Sequence, residues 1–405
     1  MTIAPADAAA APDDRLARRN VFVLAFATAL AGGNSTVMLA TGAITGSMLA
    51  PSKSLATLPV SAYIIGQWLS TLPVGALSAR LGRRTTYQIG AGFGALAGLL
   101  GWAAVLQGSF VLFLVAAFSA GIYAAAHQSY RFAAADTASE AFRPKAIAWV
   151  MAGGIFAALF GPQLVILTKD FNPPYLFAIS YLAQAGTAVV AILVLGLVKL
   201  PPVKLAKGAS TGRPLGEIAR QPRFIVAALC GVASFSTMNL VMTSAPLAML
   251  DCNFSVTEAT LGLQWHVLAM FAPSLFTGQL CSRYGADRVA GVGLALIAAS
   301  GVVAIAGITL AHFWISLILL GVGWNFGLIG ATTMVTASHR PEERFRVQSF
   351  NDFLVFGSMA MSSLLSGALL ANFGWVVVNQ VIFPAVLAAG AMLIWHRSRA
   401  AVPAA

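Results

Sequence analysis

The chain has little charge. Only 9% of its 405 residues are Asp, Glu, Lys or Arg, and the acids number 13 against 24 basic residues. A soluble domain carries roughly 25% charged residues, so this composition cannot clothe an ordinary water-facing surface. Cysteine is scarce too: Cys230, Cys252 and Cys281 have neither metal-ligand spacing nor a disulfide framework, and they read as small buried residues. No phosphate-cradling Walker loop is present. There is also no HExxH, no nucleophile elbow and no cluster of metal ligands. These absences exclude ATP coupling and argue against a membrane-embedded enzyme, and they leave no cofactor to expect.

What the chain has is apolar length. Hydrophobic residues make up 59% and the mean hydropathy is +0.83. A bilayer crossing needs roughly 20 mostly apolar residues. Twelve such stretches are expected, at about 20–43, 56–79, 86–106, 109–131, 144–167, 175–198, 222–250, 257–281, 289–309, 312–336, 345–371 and 375–396. The expected organisation is a tail over 1–19, six helices over 20–198, a polar linker over 199–221, six helices over 222–397 and a tail over 398–405. The apolar run after RLARRN lacks a cleavage end and reads as a first helix that is kept.

The net charge of +11 would suggest nucleic acid in a soluble protein. Here 22 of the 24 basic residues fall on one side of the expected topology, and only Lys53 and Lys169 fall on the other. The excess is therefore topological and nucleic acid is not an expected partner. The basic side is the cytoplasmic one, which puts both termini and the linker in the cytoplasm. The expected location is a bacterial inner membrane, crossed many times.

The chain repeats itself. GALSARLGRR (75–84) has a worn copy, GQLCSRYGADR, 203 residues further on, so that Gly75, Arg80 and Gly82 match Gly278, Arg283 and Gly285. Glu140, Phe142 and Arg143 recur at the same offset as Glu343, Phe345 and Arg346. Two separated matches at one spacing indicate a duplicated half. Gly82 permits a tight reversal, and Arg80, Arg83 and Arg84 suit pairing with acids or helix C-termini on neighbouring spans.

Twelve spans in two halves, with this loop between spans two and three and again between eight and nine, resemble the major facilitator superfamily. The resemblance implies an all-α membrane protein of two pseudo-symmetric six-helix bundles. It further implies a secondary transporter working by alternating access, in which the loop of Gly75, Arg80, Gly82, Arg83 and Arg84, with its copy, latches one state. The family's loop acid is missing: Ala79 and Ser282 stand in its place. Asp352 is the expected substitute, paired with Arg80 or Arg83. GGIFAALFGP (153–162) partly resembles the span-five motif of drug–proton antiporters but lacks the following glycines. SYRFAAAD, FRPKAIAW and RVQSFNDFLVFG resemble a bacterial branch without an assigned substrate.

Ionisable groups inside spans are functional candidates by default. Asp352, His127 and His266 are the candidate proton sites, with latch acid or satisfied buried group as competing readings. Transporter sites lie near the midplane, between the halves. Counted depth brings Asn34, Gln67, Trp68, Tyr123, Asn239, Gln264, Trp265, Trp324 and Asn325 to that level. Each amide is as readily an interhelical hydrogen bond. As a set, flat aromatics with amides and no midplane Arg or Lys suit a partly apolar small organic molecule. The expected protein is a monomer that binds such a solute, the bilayer and a coupling proton. A drug-type antiporter and a non-transporting receptor of the same fold are the alternatives.

Overall fold

In the computed structural model, which describes residues 14–52, 55, 58–200 and 212–400, the described residues form fifteen helices and no strand. The outer parts of both expected tails, linker residues 201–211, Lys53, Lys204 and Lys207 lie outside the described residues. The first half holds α1 (Asp14–Leu49), α2 (Leu58–Leu81), α3 (Arg83–Gln107), α4 (Phe110–Gln128), α5 (Tyr130–Asp136), α6 (Arg143–Thr168) and α7 (Ala178–Leu195). After it come α8 (Leu215–Ala219), α9 (Pro222–Asp251), α10 (Val256–Phe271), α11 (Ser274–Tyr284), α12 (Ala286–Ala306), α13 (Leu310–Thr336), α14 (Arg344–Gln380) and α15 (Ile382–Ala400).

These helices make twelve crossings in two six-helix bundles. Ten stretches are by themselves long and apolar enough to cross a bilayer. The eighth crossing is divided between α10 and α11 where Pro273 follows Phe271 and Ala272, because proline has no N–H for the helix ladder. The last two crossings form one apolar stretch, Arg344–Ser398, bent at Gly374 with φ 76°. Spans one and five pack closely against each other, as do two and four, and nine and ten. Ala and Gly recur through the interior, which lets helices approach without a hydrophobic drive.

The repeated loop has a common backbone. Gly82 has φ 82° and Gly285 φ 94°, a region costly for residues with a Cβ, and each ends one helix while opening the next. The first glycines of the two copies have a different duty. A Cβ on Gly75 would run into Ser349 of α14, and one on Gly278 would stand 2.6 Å from the Pro144 carbonyl of α6. Each is a point where one half touches the other.

The halves share a core on the side that carries these loops. Phe132, Ala135, Ile147, Ala148 and Met151 of the first half are buried in the same apolar cluster as the second. On that side the chain before each half also grips a loop of its own half. Asp14 accepts from the Ser139 backbone N–H at 3.1 Å and its hydroxyl at 3.0 Å. Arg213 grips the fully buried Glu343 through its backbone N–H, Nε and Nη2 at 2.7–2.9 Å. Hydrogen bonds from Arg213 outweigh the cost of burial and hold the Glu343 carboxyl at about 2.

Two outcomes follow from these contacts. Gly285→Ala should lower stability by about 1–2 kcal/mol through left-handed strain, read as a fall in the detergent melting temperature. The Glu343–Arg213 clamp has a depressed folded pKa, so its stabilisation is present above the unfolded value of about 4.3 and lost as pH falls toward about 2. A melting series from pH 6 to 3 should show this loss in the parent and a shallower one in Glu343→Gln.

Candidate functional site

The segments SYRFAAAD and RVQSFNDFLVFG meet across the seam between the halves. Tyr130–Asp136 forms a short helix after a break at Ser129, which turns Arg131 inward toward α14. Arg131 Nη2 donates to Asp352 Oδ1 at 2.5 Å. Arg131 is 1% exposed and Asp352 4%. Asn351 Nδ2 donates to the same carboxylate oxygen at 3.3 Å, Gln128 Oε1 accepts from Arg131 Nη1 at 3.2 Å, and the guanidinium lies 4.8 Å from the Phe132 ring centroid. Two buried charges thus neutralise each other, one from each half.

The expected partner of Asp352 was Arg80 or Arg83; the structure corrects this. Arg80 sits on the outer face of the end of α2 and is exposed, as are Arg84 and Arg283. Arg83 is buried but turns to another acid, Asp136, which accepts from its Nε at 2.7 Å. Its Nη1 donates to Tyr87 Oη at 3.1 Å, and its Nη2 donates to Gln348 Oε1 of the second half at 2.5 Å. Gln348 continues to His339 at 3.1 Å. Arg344 reaches Asp136 from the second half at 3.6 Å, and Phe345 lies under both guanidiniums, 4.7 Å from Arg344 and 5.1 Å from Arg83. A small cavity between α2, α4 and α14 borders this seam, lined among others by Ser78, Arg83, Gln348 and Asp352.

Deeper in the seam the contacts are aromatic. Trp68 of α2 packs on Phe353 of α14 with ring centroids 5.4 Å apart. A Cβ on Gly357 would stand 2.7 Å from Trp68 Nε1, and one on Gly154 would run into the Phe271 ring. Trp68 and Gly154 lie 203 residues before Phe271 and Gly357, so the duplication supplies two matched plugs and two matched sockets. Phe271 also meets Trp324 edge-on at 5.7 Å, and Phe235 meets Trp324 at 5.3 Å and Phe356 at 5.4 Å. The indole N–H groups of Trp68 and Trp324 are buried without an acceptor.

Most other residues counted to the midplane are packed or bonded inside one bundle. Asn34 Nδ2 donates to the Gln184 backbone carbonyl at 3.1 Å, and Asn34 Oδ1 accepts from Gln184 Nε2 at 2.9 Å. Asn325 donates to the Met270 carbonyl and to Ser274 Oγ, each at 2.6 Å, and accepts from Thr277 at 2.7 Å. It therefore stitches α13 across the proline break, as depth counting alone could not reveal. Asn239 bonds the Met359 carbonyl and Ser362 at 3.3 Å. His266 Nδ1 is 2.7 Å from the Leu317 carbonyl. Tyr123 packs its ring on Gly94, Gln67 is buried, and His127 stands edge-on to Tyr130 at 5.4 Å. Gln264 is exposed. Trp265 shares the exposed stripe of Leu261, Leu275 and Phe276, the pattern of a lipid-facing side.

Residues that depth counting passed over are Arg131, Asp136, Gln348, His339, Phe271 and Phe353. Four of them lie in the two quoted segments, whose polar residues sit at helical spacing beside span ends. That signal was visible, but which residue faces which needs the packing.

The model for the Major Facilitator Superfamily matches residues 21–272 and 227–404. The chain belongs to this superfamily. A riboflavin transporter, RfnT of Brucella anthropi, is 46% identical over 376 residues, covering 92% of this chain and 94% of that protein. An uncharacterised MFS-type transporter, YdeG of Bacillus subtilis, is 29% identical over 95% of this chain and 93% of its own. Among solved structures, the transporter FucP in its outward conformation superposes with a TM-score of 0.76 at 16% identity, covering 94% of this chain and 98% of that one. The proton:xylose symporter XylE does so with a TM-score of 0.78 at 15% identity, covering 94% and 96%. The chain is thus a multi-pass membrane transporter with the superfamily fold.

Removing one member of a buried pair costs about 3–5 kcal/mol because the other charge is stranded. Asp352→Leu should therefore lower the melting temperature sharply, and adding Arg131→Met should recover most of the loss. If the double variant melts no higher than Asp352→Leu, the two charges do not neutralise each other.

Proposed function

We propose that this transporter moves riboflavin, or a neutral flat heteroaromatic solute of the same kind, across the bacterial inner membrane by alternating access. The 46% identity to a riboflavin transporter over 92% of the chain carries the reading. The seam supports it chemically. An isoalloxazine is a flat tricycle with an apolar edge and a polar edge of carbonyl and ring-nitrogen acceptors. Trp68, Phe353, Phe271 and Trp324 offer ring faces and edges for the first, and two acceptor-free indole N–H donors suit the second. A neutral solute also fits a site that spends its buried charges on each other.

The basic side is taken as cytoplasmic, with both termini there. The structure then represents the state closed toward the cytoplasm, held by the aromatic plugs, the Arg131–Asp352 pair and the bridge from Arg83 to Gln348. Opening that side parts Arg131 from Asp352. A proton on Asp352 removes the charge that Arg131 holds, so the acid is a natural coupling site. His266 and His127 are the weaker candidates, since each packs within its own bundle.

Purified protein in liposomes should accumulate riboflavin, read by its fluorescence, and unlabelled flavin should compete. Trp68→Ala or Trp324→Ala should each slow uptake by up to about tenfold, the loss of one aromatic contact of about 0.5–1.5 kcal/mol. No flux at micromolar riboflavin would reject the substrate. Uptake indifferent to an imposed pH gradient would reject the coupling and leave facilitated passage.

A further inference from the structure

We propose that His339 is a proton-binding site on the basic face, and that its occupation unlocks the two halves through the side-chain amide of Gln348. The proposal does not depend on which solute is carried. It rests on the direction of a chain of hydrogen bonds. Arginine can only donate, so the atom of Gln348 that faces Arg83 Nη2 at 2.5 Å is its oxygen. The amide nitrogen then faces His339 Nε2 at 3.1 Å. An amide NH2 also only donates, so that ring nitrogen must hold a lone pair. The ring proton is therefore on Nδ1, which donates to the Arg340 carbonyl at 3.0 Å. Every direction is set by the guanidinium at the head of the chain.

Only the neutral ring satisfies this arrangement. A second proton, on Nε2, sets two donors face to face. Turning the amide over restores the bond to the ring but points its NH2 at Arg83, and the bond between the halves is lost. Arg83 keeps Asp136 and Tyr87, both in its own half, so it loses its hydrogen bond to the second half without being stranded. The charged groups facing the ring are Asp136 from α5, Arg83 from α3 and Glu343 at the start of α14. Burial is the largest influence and lowers the His339 pKa from 6.5, with Arg83 acting in the same direction and Asp136 and Glu343 opposing. The ring is neutral and the bridge intact at neutral pH. Acid on the basic side binds the form with the bridge broken, and so favours separation.

The test uses full-length protein in lipid nanodiscs, with Cys230, Cys252 and Cys281 replaced by alanine. Spin labels go at Glu140 and Tyr284, which are exposed in opposite halves on the basic side. The ratio of long to short distances should rise about tenfold from pH 7.5 to 5.5, the worth of one hydrogen bond to a charged group. His339→Gln offers an acceptor oxygen that does not titrate, and its ratio should lose most of that rise, keeping only what Asp352 contributes. Gln348→Glu accepts from both Arg83 and a protonated ring, so acid should tighten that variant, reversing the sign. A merely structural histidine would not produce the reversal. A parent ratio indifferent to pH, a His339→Gln variant that responds as strongly as the parent, or a Gln348→Glu variant that opens in acid as the parent does would each overturn the proposal.

Discussion

Arg131 and Asp352 are each kept from water by the half of the molecule to which the other belongs. Neither charge is tolerable alone at 1% and 4% exposure, and the two come together only when the halves close on the basic side. The cost of burying the pair is offset by its own attraction, so the pair adds little net stability. What it adds is dependence: the closed seam requires both charges, and opening must hydrate or neutralise them. The packing around it obeys the same demand. The break at Ser129 turns the short helix α5 inward, and Phe132 covers the guanidinium.

The duplication explains why the seam has the shape it does. Each half contributes a plug, Trp68 or Phe271, and a glycine socket, Gly357 or Gly154. Each also contributes a loop glycine, Gly75 or Gly278, at a backbone contact with the other half. The polar part of the seam is not duplicated. Asp352 corresponds to Trp149 and Arg131 to Met334, so the ion pair exists once and lies to one side of the pseudo-twofold. A symmetric apolar frame thus carries an asymmetric polar lock.

The loop that first marks the family plays a narrower part than its motif suggests. Of its three arginines only Arg83 is buried and bridges the halves; Arg80 and Arg84 face outward. With no acid at Ala79, Arg83 pairs with Asp136 of its own half, and Gln348 carries the link across. An amide accepts from a guanidinium in one orientation only, so this link has a direction that a carboxylate would lack.

Hydropathy and the basic bias came straight from composition, and with them twelve crossings, two halves and a basic face. These are properties of single segments in a bilayer, which must satisfy their own backbone and length regardless of neighbours. The repeat of 203 residues likewise needs no structure. Pairing was different. Helix depth was readable for Asn34 and Asn325, but rotation about the helix axis was not, and rotation turned both into stitches within a bundle. Asp352 was recognisable as a costly acid, yet its partner, Arg131, lies 221 positions earlier in the chain and is turned inward by the helix break at Ser129. Which charge meets which, and which face of each helix meets the other half, is decided by packing among small residues, and only the tertiary structure holds that information.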